Sequence, residues 1–250
     1  MQSYTSPRRE VHMKKLIFIA TLIVCCVCLC FAINSNSKNI QEVHAMVQAI
    51  HWLGHDCFKI ANDVVIYTDP FNVKKQDKAD IILITHEHFD HCSPDDIKKI
   101  QTKDTVIVAP ADCVGKLSGT VKTIKPHETI TVKGITIQAV PAYNTNKQFH
   151  PKTKGWVGYI ITIQNTRIYI AGDTDFIPEM KSLQNIDIAL LPVSGTYVMT
   201  AEEAAQAAMA IKPNIAIPMH YGSIVGTIAD AKKFEKLLQG KVEVVIKEIE

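Results

Sequence analysis

The sequence predicts a layered α/β domain, on two observations. Short β-rich runs recur at close spacing from Val47 onward, and the last third alternates strand-like with helix-like segments. Helical stretches flank apolar strands in both halves, with no solenoid period and no interior linker, so residues 46–250 read as one domain.

Taken in order, the runs VQAIHWL, CFKI, VVIYTD and IILIT are separated by Gly54-His55-Asp56, Asn62-Asp63 and a charged stretch from Lys74 to Asp80. Spacing this close predicts antiparallel pairing. Ser93 reads as an N-cap and Pro94 as the first residue of a short helix reaching Ile100. TVIVAP is a further strand. ETITVKGITIQAVPA alternates and predicts a hairpin at Lys133-Gly134, and GWVGYIITIQNTRIYIAGDTD predicts a second, turning at Asn165. After the strand DIALLPV, Thr200 and Glu203 frame a capping box that opens an Ala-rich helix through Ile211, and Pro213 ends it. The strand NIAIPMH, a helix from Ile228 to Leu238 and a last strand, VEVVIKEI, complete the chain.

The N-terminus has a different character. Leu16 to Ile33 is an apolar run of 18 residues in which only Thr21 is polar, preceded by Arg8, Arg9, Lys14 and Lys15. Residues 1–33 are therefore expected to be a secretory signal peptide with Ala32 before the cut, or an uncleaved anchor, since the run reaches the lower limit for a membrane span. Residues 34–45 read as a polar linker. The protein is expected to be exported to a periplasm or the cell exterior, or held at the membrane by residues 16–33. Residues 1–32 hold four of the 27 basic residues and one of the 25 acidic ones, leaving 23 and 24 in the body. A near-neutral body carries no electrostatic footprint for nucleic acid; a small-molecule substrate is the expected partner. Four of the seven cysteines lie in the apolar run, and Cys57, Cys92 and Cys113 form no disulfide framework.

The chemistry concentrates in ILITHEHFDHCSP, residues 82–94. Alternate residues at a strand end point the same way, so His86 and His88 can share one metal, while Asp90 and His91 can face a second. Imidazole and carboxylate suit zinc, manganese or iron. Asp69, ending VVIYTD, is placed to accept a hydrogen bond from a ligand histidine. No G-x-S-x-G, GxGxxG or GxxxxGK[ST] pattern occurs, which removes support for a serine hydrolase or a nucleotide-binding loop.

THEHFDH matches the H-x-H-x-D-H signature of the metallo-β-lactamase superfamily, and the chain from about residue 50 to 220 resembles that superfamily. WLGHDCFKI with IYTDPF, then IYIAGDTD and IPMHYG, look like the branch holding ascorbate-6-phosphate lactonase-like and N-acyl-phosphatidylethanolamine phospholipase D-like hydrolases. The resemblance implies a four-layer αββα sandwich with two divalent metal ions at one edge, Zn2+ foremost and Mn2+ or Fe2+ as alternatives. His86 and His88 would hold the first ion, and Asp90, His91 and His220 the second. Asp173 would bridge them, with Asp90 and Asp173 as the catalytic carboxylates. His55 is expected to face the same edge.

One position departs from the pattern. The first metal normally takes a third histidine where this chain has Tyr143 and Asn144. The expectation is that the loop folds back and His150 completes the site; substrate contact by His150, or a weaker ligand set, are the alternatives. Tyr143 and Asn144 are read as substrate-binding, with Lys147, Phe149, Trp156, Tyr197 and Tyr221 as further pocket candidates. The implied reaction is metal-assisted hydrolysis of an ester, lactone, phosphodiester or amide. A metal-binding protein without turnover is an alternative, and a di-iron redox enzyme a weaker one, because such enzymes favour Glu where His88 stands.

Overall fold

The computed structural model describes residues 40–74 and 77–250. The N-terminal apolar run lies outside the described residues, and so do residues 34–39 of the expected linker. Among the described residues no helix is long and apolar enough to cross a membrane.

Two sheets form the body of residues 43–250. The first runs β1 (Ile50–Gly54), β2 (Cys57–Ala61), β3 (Val65–Thr68), β4 (Ile81–Leu83), β5 (Val106–Ala109) and β6 (Thr120–Thr123), neighbours in that order. The second has the order β13 (Glu243–Val244), β12 (Ile215–Met219), β11 (Ile188–Pro192), β10 (Thr166–Ile170), β9 (Val157–Ile163), β8 (Ile135–Pro141) and β7 (Thr129–Val132).

Side-chain alternation decides the layering. Ile81 and Leu83 of β4 join the core between the sheets, while Ile82 and the following Ile84 join a smaller core with Ile97 and Ile100 of α2 (Pro94–Ile100). Ile66 and Val108 likewise face inward, and Tyr67 and Ile107 outward. On the far side, Ala204, Ala205 and Ala208 of α3 (Ala201–Ile211) and Phe234 of α4 (Ile228–Leu238) pack with β11 and β12. The architecture is the expected αββα sandwich. The cap at Ser93 is present, and the capping box at Thr200 has both of its hydrogen bonds. The hairpins turn at Lys133-Gly134 and Gln164-Asn165.

Three expectations change. Helix α1 covers residues 40–49, where the end of a linker and the start of a strand were expected. Val43, Met46 and Val47 are buried at i, i+3 and i+4, and this helical face outweighs the β-forming valine. Among the first four runs, antiparallel pairing links β1, β2 and β3, while β3 and β4 are parallel, because the chain between them returns to the starting edge. The last run divides: Glu243–Val244 pairs with β12, and Ile249 bridges to Trp52 of the other sheet. The strand β6 was not anticipated, since Thr120, Lys122 and Thr123 are exposed at a sheet edge and carry no apolar signal.

What positions the site is the set of parallel strands. β3 and β4 run together, as do β10, β11 and β12, so their C-terminal ends meet at one edge. Gly158 of β9 permits the closest approach there. A Cβ at this position would lie 2.6 Å from the Ala171 carbonyl oxygen and 2.7 Å from that of Ile170, just before Asp173. Gly158→Ala is expected to cost about 1–3 kcal/mol through overpacking. Gly115→Ala, where a Cβ meets nothing within 4 Å, should stay within about 0.5 kcal/mol. Urea midpoints of the two variants test the difference.

Candidate metal centre

Each sequence-predicted ligand sits just beyond a strand end. His86 to His91 follow β4, Asp173 follows β10, His220 follows β12, and His150 comes from the loop after β8. His220 adopts φ +60° and Asp69 φ +38°, left-handed values that cost a non-glycine residue about 1 kcal/mol each. The chain carries that strain at the edge where the side chains converge.

The imidazoles are tied by one nitrogen and free at the other. His91 Nδ1 lies 2.9 Å from Asp69 Oδ2, and His150 Nδ1 lies 3.0 Å from Asn144 Oδ1. Both partners only accept, so both Nδ1 atoms carry a proton and, in the neutral ring that binds a metal, each Nε2 lone pair faces the site. His86 follows the same rule through Thr85. The Thr85 hydroxyl donates to Asp69 Oδ2 at 2.6 Å and therefore accepts from His86 Nδ1 at 2.9 Å. His220 Nδ1 pairs with Ser194 Oγ at 2.9 Å.

The inward atoms converge on Asp173. Its Oδ2 is 3.1 Å from His150 Nε2, 3.2 Å from His220 Nε2 and 3.9 Å from His86 Nε2, and its Oδ1 is 3.5 Å from His91 Nε2. His88 offers Nδ1, 3.1 Å from His86 Nε2. The ligand atoms of His86, His88 and His150 lie within 4.8 Å of one another, as do those of His55, His91 and His220. Asp90 Oδ2 accepts from His55 Nε2 at 3.1 Å and is 3.8 Å from His91 Nε2.

Charge in this cluster is set by burial and by the central carboxylate. Burial holds the His86 and His88 imidazoles below their usual values, well below for His86. For His91 and His220 burial pulls the same way, but the facing carboxylates outweigh it and raise both, with Asp173 foremost. Burial alone would raise Asp173; the His220 and His91 rings outweigh it and hold the carboxyl well below the usual range.

A divalent metal fits these residues. His91 Nε2, His150 Nε2, His220 Nε2 and Asp173 Oδ1 are buried without a hydrogen-bond partner. Orphaned buried polar atoms are rare in folded proteins, and imidazole nitrogen with carboxylate oxygen is a zinc-type donor set.

The family described as the beta-lactamase superfamily domain matches residues 49–220. A UPF0173 metal-dependent hydrolase of Thermoplasma acidophilum is 37% identical over 221 residues, covering 80% of this chain and 96% of the relative. The chain belongs to the metallo-β-lactamase superfamily and, within it, to the UPF0173 metal-dependent hydrolases. A crystal structure of a candidate metal-dependent hydrolase from Parabacteroides distasonis superposes on this UPF0173 chain with TM-score 0.73 and 39% identity, covering 80% of this chain and 93% of that one. A metallo hydrolase of Ignicoccus hospitalis, at 23% identity and TM-score 0.66 over 80% of this chain and 94% of its own, shares the fold.

Three side chains read as substrate-facing have other contacts in this UPF0173 site. Tyr143 and Asn144 do not line the cavity at the centre, which measures about 270 Å3 and is walled by His88, Phe89, Asp90, Phe149, His150, Asp173, Tyr197 and Ile224. The Tyr143 hydroxyl donates to Glu179 at 2.9 Å and accepts from Lys152 at 3.1 Å. The Asn144 amide donates to Asp175 at 3.1 Å and to the Tyr197 carbonyl at 2.9 Å, which turns its oxygen toward His150. Asn144 thus holds the histidine that stands in for it. Trp156 packs its ring 4.9 Å from those of His86 and His88 and is likewise absent from the cavity wall. Asp175, Thr85 and Ser194 were not singled out in the sequence. Asp175 alone left a signal, the second acid of GDTD: it accepts the Thr145 backbone N–H at 2.7 Å and Lys147 Nζ at 2.6 Å. Asp69→Asn presents an amide where His91 and Thr85 need an acceptor, and is expected to weaken metal binding by about 10–100-fold, as read by chelator competition.

Proposed function

We propose that this protein hydrolyses an ester, lactone or phosphodiester bond of a small substrate at a binuclear metal centre. The observation that carries the reading is the set of inward Nε2 atoms of His86, His91, His150 and His220, gathered around one buried carboxylate, Asp173. His86, His88 and His150 would hold one divalent ion, and Asp90, His91 and His220 the other, with Asp173 between them. Zn2+ suits the donors best, with Mn2+ and Fe2+ next. Two such ions supply Lewis acidity toward a substrate oxygen and a water whose pKa falls toward about 7.

The residues of the chain do the rest. Asp90 borders the cavity with Oδ2 tied to His55, which fixes its orientation. Phe89, Phe149, Tyr197 and Ile224 provide an apolar wall, open to solvent on the side of Phe89, Phe149 and Ile224, that would take the apolar part of a substrate. Phe149 packs edge-on against Tyr197 with centroids 4.6 Å apart, so the wall is braced. Among the described residues no lysine or arginine lines the cavity, and a substrate of low charge is favoured over a polyanion. The likeness of WLGHDCFKI and IYTDPF to the lactonase-like and phospholipase D-like branch supports keeping lactones and phosphodiesters among the candidates.

Wild-type protein is expected to hold two metal ions per chain and to turn over at least one generic ester, lactone or phosphodiester; two bound ions with no turnover across that panel would favour a metal-binding role instead. His150→Ala should lose one ion and its hydrolysis together, measured by elemental analysis and initial rates, and retention of both ions would remove His150 from the ligand set. Export is proposed on the apolar run Leu16–Ile33, and N-terminal sequencing of protein recovered from expressing cells should begin at Ile33.

A further inference from the structure

The turn between β1 and β2 brings one more carboxylate to the cluster. Asp56 follows His55 and is 1% exposed, and neither Oδ1 nor Oδ2 has a hydrogen-bond partner. The other buried carboxylates outside the cluster are satisfied. Asp69 accepts from Thr85 and His91, Asp96 from the Asn72 and Val73 N–H groups, and Asp175 from Thr145 and Lys147. Asp56 instead places an oxygen within 4.8 Å of both an Asp173 oxygen and a His220 nitrogen.

The backbone keeps it there. Gly54 and His55 take φ +103° and +53°, which turn the chain sharply ahead of Asp56. The Asp56 carbonyl accepts from Thr68 Oγ1 at 2.9 Å, and that oxygen accepts from the Phe58 N–H at 3.1 Å. These bonds fix the backbone on either side of the enclosed Asp56 side chain.

Two enclosed carboxylates side by side repel, and an unpaired buried charge is strongly unfavourable. A cation between them removes both penalties. Oxygen and nitrogen ligands at about 2.0–2.2 Å from one ion stand no more than about 4.4 Å apart; these three atoms lie within 4.8 Å of one another, so at most a few tenths of an ångström of adjustment brings them onto one ion. Neither the H-x-H-x-D-H signature nor the later Asp173 and His220 includes this position.

We propose that Asp56 is an additional oxygen ligand of the ion held by His220 and Asp173, an inference that rests on the binuclear reading above. The test uses full-length wild type, D56N and D56A, loaded with Zn2+ and, separately, with Co2+. D56N and D56A should keep the wild-type far-UV circular dichroism and one tightly held ion. The second ion should bind at least about tenfold more weakly, and the Co2+ absorption bands should change. Metal-free D56N should melt no lower than metal-free wild type, because it removes a buried carboxyl that has no hydrogen-bond partner. Two ions held by D56N with wild-type affinity and an unchanged Co2+ spectrum would overturn the assignment. A metal-free D56N that melts well below wild type would also overturn it, by marking Asp56 as a structural residue. Wild type that binds no metal would overturn the binuclear reading itself, which is a separate outcome from equal binding by wild type and D56N.

Discussion

The Asp69 carboxylate is the interaction on which the site depends. Fully enclosed at the end of β3, it accepts from the Thr85 N–H at 2.8 Å, the Thr85 hydroxyl at 2.6 Å and His91 Nδ1 at 2.9 Å. Its own N–H donates to the Leu83 carbonyl at 2.9 Å. One buried charge thus ties the ends of two parallel strands together and sets the tautomer of His91 directly and of His86 through Thr85. Those two histidines belong to opposite halves of the proposed ligand set, so a single group orients both. Breaking a buried charge network of this kind costs about 3–5 kcal/mol.

Thr85 carries the same constraint to the second sheet. Its carbonyl accepts from the Val157 N–H at 3.1 Å. A Cβ on Gly172, one residue before Asp173, would lie 3.0 Å from Thr85 Cβ. Glycine at 172, with φ +63°, lets the Asp173 strand end close onto the Thr85 strand end. The two sheets therefore meet at the point where the Asp173 carboxylate and the imidazoles face one another.

The loop after β8 solves a different problem with the same physics. A histidine useful to a metal needs one nitrogen occupied by an acceptor. Asn144 provides that acceptor for His150, and it also closes the loop, because its backbone N–H donates to the His150 carbonyl at 2.7 Å. Asp175 holds the loop from below through Thr145 and Lys147. On the proposed ligand set, the replacement of an expected histidine by asparagine would be a relocation: the ligand would move six residues along, and Asn144 supports it there.

Much of this was legible in the residues. THEHFDH after an apolar strand placed three histidines and an aspartate by local geometry alone, and the caps at Ser93 and Thr200 were readable because capping acts within four residues. Helix α1 and β6 were less legible, since their signals compete with β propensity or lack apolar residues. Asp56 gave no signal, because its distinction is the absence of any partner, and that exists only once the chain has enclosed it. The residue pattern alone carried the layered α/β class, the imidazole and carboxylate groups of the site and the order in which the strands deliver them. Tertiary structure decided that Asn144 turns from the cavity to hold His150, that Tyr143 pairs with Glu179 and Lys152, and that Asp56 joins the cluster. These outcomes depend on which strand ends the parallel pairings bring together, on contacts between residues tens of positions apart that no local pattern encodes.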